Sequence, residues 1–320
     1  MAAILALLFP FFGLIVIGYI AAKATRQGAD ALGWMNTFIV YAALPALFFK
    51  LVSRTPVEDL TRLDFMATQV LTVYAVYALV FLIAYLGRRA SFAESTMQAF
   101  GGAYGNIGYM GPGLALLALG EGAAVPVALI VCVENAVHFV TAPALMALAG
   151  GDKRPPLQLA GDVARRVALH PFILSTAAGF LVAASGWSLP DAGMRLIDYL
   201  AQAAAPCALF AMGVTLALRP LKRVPVEIGP ITLAKLVLLP AAMYLALTAV
   251  GGFDATWIHA AVLLAALPTA TNVFVISQHY DVWQERASAT VLITTIVSIL
   301  TLPVVLYLIS AGLLPAEGMF

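Results

Sequence analysis

Asn106 and Asn272 are amide side chains set beside runs of residues that stop helices, and each run interrupts a stretch apolar enough to cross a membrane. The first run reads Gly101-Gly102-Ala103-Tyr104-Gly105-Asn106-Ile107-Gly108-Tyr109-Met110-Gly111-Pro112-Gly113. The second reads Ala265-Ala266-Leu267-Pro268-Thr269-Ala270-Thr271-Asn272. A helix broken inside a membrane exposes N–H groups with partial positive charge and C=O groups with partial negative charge. The N-terminal ends of the half-helices after Pro112 and Asn272 suit a carboxylate. An asparagine donates and accepts hydrogen bonds, so it either binds a substrate or caps a half-helix. Both readings are open for Asn106 and Asn272. Gly108 and Thr271 share the same turns and join them as candidate substrate contacts. Pro112 and Pro268 belong to the candidate site chiefly as the residues that enforce the breaks.

Three further groups carry ionisable or hydroxyl chemistry. Glu134 and His138 stand four residues apart, with Thr141 one turn on, so all three share one helix face. An ionisable residue inside a span is costly and is a functional candidate by default. A carboxylate beside an imidazole takes up and releases a proton, or touches substrate, or stitches the helix to a neighbour. Asn135 points aside and is read as structural. Lys235 lies deep in its span, about 13 Å along a helix at ~1.5 Å per residue, too far to snorkel well. Its expected partner is Glu134, a helix C-terminal end or the anion itself. Thr290, Thr294, Ser298 and Thr301 form a hydroxyl stripe of the kind that packs helix on helix. His170 is expected to cap the helix opened by Pro171, and His259 and His279 lie near span ends. Gln278, Tyr280, Tyr41 and Tyr109 are of the types that line a vestibule or an interfacial belt. The Gly101, Gly105 spacing permits close helix contact.

The elements that must position these groups follow from composition. The chain has 320 residues, of which 62% are hydrophobic and 10% charged, with mean hydropathy +0.98. Soluble domains carry ~25% charged residues, so a polytopic all-α membrane protein is expected. The net charge of +1 gives no basis for nucleic-acid binding. No cofactor and no metal ligand set is expected. Cys132 and Cys207 lie inside apolar segments and read as small packers. The first apolar run lacks a preceding basic stretch and is read as a retained helix.

Ten spans are predicted, at about 3–22, 31–52, 65–87, 96–119, 123–148, 167–186, 194–217, 227–250, 257–279 and 287–312, each near the ~20 residues needed to cross. The two breaks fall in spans four and nine, the same place in each half. Such matched breaks point to the substrate site of a secondary transporter, because unwound backbone at membrane depth needs protein or a wet cavity to satisfy it. The loops after odd-numbered spans carry Lys23, Arg26, Arg88, Arg89, Lys153, Arg154, Arg165, Arg166, Arg219, Lys222, Arg223 and Arg286. The opposite side carries Lys50, Arg54, Arg62 and Arg195. Odd loops are therefore expected in the cytoplasm, with both termini on the extracytoplasmic side of the cell (inner) membrane. Five spans per half then give a 5+5 inverted repeat: residues 1–150, a cytoplasmic linker 151–166, and residues 167–320.

The residues in this order resemble the auxin efflux carrier family, whose plant members are the PIN auxin exporters. The resemblance rests on Leu44-Pro45-Ala46-Leu47; Asn106 with Gly108, Gly111 and Pro112; His170-Pro171; Pro206 with Leu209-Phe210 and Gly213; Lys235 with Pro240; and Leu267-Pro268-Thr269-Ala270 with Asn272. It is similar in particular to bacterial members associated with malonate, malate and related carboxylates. The resemblance implies broken, crossing spans four and nine in a bile-acid symporter/antiporter-like architecture. It also implies a scaffold of spans 1, 2, 6 and 7, a mobile unit of spans 3–5 and 8–10, elevator-type alternating access and a homodimer in membrane lipid. The implied substrate is a small organic anion. The long loop that many plant members carry between spans five and six is absent here, so their regulation is not implied.

Other classes fit less well. A sodium- or proton-coupled cation carrier usually wants paired midplane acids, and Glu134 stands without a second. A membrane enzyme would need a motif such as His-Glu-x-x-His, paired intramembrane aspartates or a serine–histidine arrangement, which the chain lacks. A transporter-like ligand sensor would be expected to carry a signalling domain.

Overall fold

The computed structural model describes residues 2–150, 158, 161–162, 164–165, 168–187, 189–218 and 224–316. Most of the expected linker 151–166, including Lys153, Arg154, Pro155, Pro156 and Arg166, lies outside the described residues, as do Arg219, Lys222 and Arg223. The chain is helical: α1 Ala2–Thr25, α2 Asp30–Ser53, α3 Leu63–Gly87, α4 Phe92–Ala103, α5 Gly111–Leu119 and α6 Glu121–Leu148 in the first half. The second half holds α7 Pro171–Ser185, α8 Asp191–Leu218, α9 Ile228–Val250, α10 Ala255–Ala265, α11 Thr271–His279 and α12 Gln284–Ser310. Among the described residues, seven helices (α1, α2, α3, α6, α8, α9 and α12) are long and apolar enough to cross a membrane. The chain is thus a polytopic membrane protein. Helix α7 has 15 residues. The remaining four helices are the short pieces on either side of the two expected breaks.

Local chemistry explains where these pieces start and stop. Ser91 caps α4 by accepting from the Glu94 amide at 3.1 Å, and Asp254 caps α10 by accepting from the Thr256 amide at 2.7 Å. Gly105, Gly108 and Pro112 deny a continuous helix between α4 and α5, and Pro268 does the same between α10 and α11. Wide π-helical turns at Ile39–Ala43 and Ala234–Leu238 precede Pro45 and Pro240, residues that have no N–H to give the ladder.

Two packing groups emerge. Helix α1 lies along α8, and α2 packs on α7 and α8. The α1–α8 approach requires glycine: a Cβ on Gly18 would stand 2.2 Å from the Phe210 carbonyl oxygen, and one on Gly213 would stand 2.0 Å from that of Ile15. In the other group α3 packs on α4 and α9, α9 on α10, and α11 on α12. The ion pairs Lys50–Asp198 and Arg54–Asp198 tie α2 to α8 inside the first group. Arg88–Glu227, Arg286–Glu227 and Arg286–Glu94 tie α3, α4, α9 and α12 together inside the second.

Candidate functional site

The two breaks meet. The Asn106 amide donates to the Pro268 carbonyl at 2.8 Å, and the Ala270 amide donates to the Tyr104 carbonyl at 2.9 Å. Gly105 and Thr269 form an antiparallel bridge between them. Thr269 also donates from Oγ1 to the Gly101 carbonyl at 2.7 Å, while its amide donates to Thr294 Oγ1 at 3.1 Å. Each break therefore satisfies much of the other's backbone, as buried backbone must be satisfied. The α12 hydroxyl stripe contributes Thr294 to this task; Thr290, Ser298 and Thr301 lie off the cavity described next.

A cavity of about 200 Å³ opens on one side of the paired breaks. Its wall carries Asn106, Gly108, Thr271 and Asn272, joined by Tyr104, Tyr109, Asn135 and His170, with Leu44, Phe48 and Phe139 as apolar faces. Its volume is below the roughly 300–1,000 Å³ of pockets for drug-sized ligands. Thr271 opens α11 with no side-chain cap before it; the Val273 amide turns back to the Ala270 carbonyl at 3.1 Å, which leaves the Thr271 and Asn272 amides to meet a ligand. Thr271 Oγ1 is buried with no hydrogen-bond partner among the described residues. Asn272 Nδ2 donates to the Tyr104 hydroxyl at 2.8 Å. That hydroxyl donates in turn to Asn135 Oδ1, and Asn135 Nδ2 donates to the Val131 carbonyl at 2.7 Å. Among the described residues, Asn106 Nδ2 donates to the thioether of Met212 on α8 at 3.3 Å, and a thioether is a weak acceptor.

Behind the breaks lies a second polar region, and it is closed. Glu134 accepts from Gln69 Nε2 on α3 and sits 3.3 Å from His138 Nε2. The other imidazole nitrogen of His138 lies 2.9 Å from the Tyr74 hydroxyl. Lys235 is fully buried and donates from Nζ to the Ala265 carbonyl at 2.5 Å. It therefore caps the C-terminal end of α10, one of the three partners open to it from sequence. Gln69, Glu134, Lys235, Ala265 and Gly105 border a space of about 10 Å³, room for one water. A Cβ on Gly105 would stand 3.2 Å from Lys235 Nζ. That glycine is where the two regions share a wall.

Of the residues singled out from sequence, Asn106, Gly108, Thr271 and Asn272 come together on the cavity wall. Pro268 stands off it and lends its carbonyl to the Asn106 amide; Pro112 opens α5. Lys235, Glu134 and His138 group behind the breaks. His170 occupies the N-cap position of α7 but makes no side-chain cap hydrogen bond there. Instead its ring stacks on Phe139, 4.9 Å between centroids, at the cavity. This corrects its expected capping role: the ring turns toward an aromatic face of α6. Tyr104, Gln69, Tyr74 and Thr269 were not singled out. Tyr104 lies inside the first break, and Gln69 is a polar side chain in an apolar span; both signals were available.

Comparison with known proteins bears on what such a site serves. Residues 3–306 match the family model described as membrane transport protein. The chain is 66% identical over 317 residues, 99% of each chain, to a Rhizobium meliloti (strain 1021) protein provisionally named a malonate transporter. It is 24% identical over 308 residues, 94% of this chain and 96% of the other, to the uncharacterized transporter YfdV of Escherichia coli (strain K12). A Shigella flexneri protein of the same name matches to the same extent. With the family match running nearly end to end, the chain belongs to the membrane transport protein family, the auxin efflux carrier family that its residues resemble, and is a membrane transporter rather than an enzyme.

Proposed function

We propose that the protein carries a small organic anion, a short dicarboxylate such as malonate or malate, across the inner membrane by elevator-type alternating access. The observation that carries this reading is the cavity at the paired breaks, where Asn106, Asn272 and the open N-terminus of α11 converge. Helix N-termini carry about half a positive charge, and amide donors add directional hydrogen bonds. Together they offer a carboxylate favourable partners without a fixed cation on the wall. The small volume favours a short acid over an indole acid. The relative provisionally named a malonate transporter supports the same substrate class.

In this reading α4 with α5, and α10 with α11, are spans four and nine of ten, and the halves form a 5+5 inverted repeat with both termini outside. Helices α1, α2, α7 and α8 serve as scaffold; α3–α6 and α9–α12 move as one unit, within a homodimer in the bilayer. The packing supports such a division. Ion pairs fall within each group, whereas two side-chain hydrogen bonds between the groups, Asn106–Met212 and Cys132–Thr176, are made by sulfur. Sulfur bonds are weak and easily exchanged during sliding. The cavity is bordered by both groups, so motion of one against the other would expose it to alternate sides.

Glu134 and His138 would couple a proton to transport, acting through Tyr104. The Tyr104 ring lies 4.1 Å from the His138 ring, and its hydroxyl holds Asn272. The Glu134 carboxylate is engaged by Gln69 and His138, which weighs against a cation carrier.

The test is uptake into proteoliposomes across a panel of mono- and dicarboxylates plus an indole acid, with and without an inward proton gradient. Saturable uptake of one short dicarboxylate is expected. Specific binding without flux of any acid would overturn transport of this class and favour a sensor.

A further inference from the structure

A mostly apolar cavity lies away from the paired breaks, between α3 and α9. It measures about 420 Å³. Its floor is built from small or compact side chains, Ala84, Val80 and Ala234, all buried. Its rim is built from Leu79, Ile83, Leu233 and Val237, which are 44%, 48%, 61% and 51% exposed. The groove runs alongside the wide π-helical turns Ile83–Gly87 of α3 and Ala234–Leu238 of α9. Such turns carry i→i+5 hydrogen bonds and bulge the helix by one residue. Farther along, α3 and α9 pack directly, so the gap is confined to one end.

At that end the lining changes character. Arg88 and Glu227 stand there, 3.6 Å apart. Glu227 is held more closely by Arg286, at 3.2 Å, and its side chain is 13% exposed against 35% for Arg88. Arg88 is therefore the looser partner. A guanidinium has five N–H donors, and one long contact leaves most of them for another acceptor. The neighbouring Arg89 adds a second cation at the same helix end.

A groove with an apolar floor, an open apolar side at membrane depth and a guanidinium at one end matches one molecule of the bilayer. We infer that this groove binds a single acyl chain of a membrane phospholipid, with the lipid phosphate at Arg88. Lipid tails are the apolar chains available to a groove that opens sideways into the bilayer, and arginine is well suited to phosphate. The inference stands whichever anion the transport cavity takes.

The experiment uses the full chain in phosphatidylethanolamine–phosphatidylglycerol vesicles doped with a phosphatidylglycerol bearing a diazirine on one acyl chain. After photolysis, labelled peptides are mapped by mass spectrometry. Label concentrated on the peptides of Ile83–Ala84 and Ala234–Val237 is expected, above that on the plainly exposed Phe9 and Leu300. Ala84→Trp, which fills the floor, is expected to lose that concentrated label. Arg88→Ala, and replacement of the probe by a diazirine diacylglycerol without phosphate, should each lose most of it; these two arms hold even where Ala84→Trp does not fold. Label spread evenly over the lipid-facing helices would overturn the site. Unchanged label with the phosphate-free probe would overturn the role of Arg88, and cross-links between two copies of the chain at these peptides would assign the groove to a protein contact instead.

Discussion

Two polar regions meet at Gly105, and they differ in what their hydrogen bonds leave over. On the cavity side, the Asn106 side chain gives its N–H to a thioether, and Thr271 Oγ1 has no partner among the described residues. On the other side, Glu134, His138 and Lys235 each meet protein partners: Gln69, Tyr74 and the Ala265 carbonyl. Both regions consist of polar residues inside apolar helices, and charge alone would rank the second as the binding site. The hydrogen-bond inventory reverses that order: the atom left over on the closed side, Gln69 Oε1, is an acceptor and offers nothing to an anion. A site for a passing anion needs unused donors with room beside them, whereas Lys235 is fully buried, caps the end of α10 and faces space for one water, which suits a structural role.

That contrast predicts opposite signatures for substitutions on the two sides. The largest effect on transport should come from Asn106→Ala or Asn272→Ala. Hydrogen bonds to a charged partner are worth about 1.5–3 kcal/mol, so uptake should fall by roughly 10- to 150-fold. Thermal unfolding in detergent should shift little. Lys235→Met should invert the pattern. It leaves the Ala265 carbonyl buried without its donor, at a cost of about 1–3 kcal/mol in stability. Its melting temperature should drop well below that of either asparagine variant. A Lys235→Met protein of unchanged stability and abolished uptake would move the lysine to the substrate.

Two finer substitutions sharpen the boundary between the regions. Glu134→Gln keeps the shape and the contact with Gln69 while removing the ionisable group. Uptake that rises with an inward proton gradient in the wild type should lose that dependence in this variant. Wild-type uptake indifferent to the gradient would remove the coupling role altogether. Tyr104→Phe deletes the hydroxyl that joins Asn272 to Asn135. One neutral hydrogen bond is worth about 0.5–1.5 kcal/mol, so the half-saturation concentration should rise by roughly 2- to 10-fold.

The sequence announced the breaks because their causes are local. Glycine weakens a helix and proline takes a donor from it, and Gly105, Gly108, Pro112 and Pro268 cluster at the two breaks, whereas the lone Pro10, Pro143, Pro206 and Pro303 are carried inside continuous helices. The long helices were equally legible from apolar runs, and α3, predicted as 65–87, spans Leu63–Gly87. Partners were not legible, because they depend on the register between distant helices. Lys235 had three candidates, and only the placement of α10 against α9 selects the Ala265 carbonyl. Sequence alone does not mark the role of Tyr104, because its hydroxyl gains meaning from Asn272, which is 168 residues away. Asn135 was read as structural from its angle on α6, and it does bond the Val131 carbonyl; the same residue also reaches the cavity wall through Tyr104. His170 followed its neighbour Pro171 in sequence and Phe139 in space.

The most direct test of the anion site is substrate protection of a thiol on the cavity wall. In a chain with Cys132→Ala and Cys207→Ala, Thr271→Cys and, as a control at an exposed position off the cavity, Thr61→Cys would be labelled in membranes by a small thiol reagent, with and without saturating malonate. Malonate should slow labelling at position 271 and leave position 61 unchanged. Equal labelling of position 271 with and without malonate, in protein that still takes malonate up, would place the anion somewhere other than the cavity at the paired breaks.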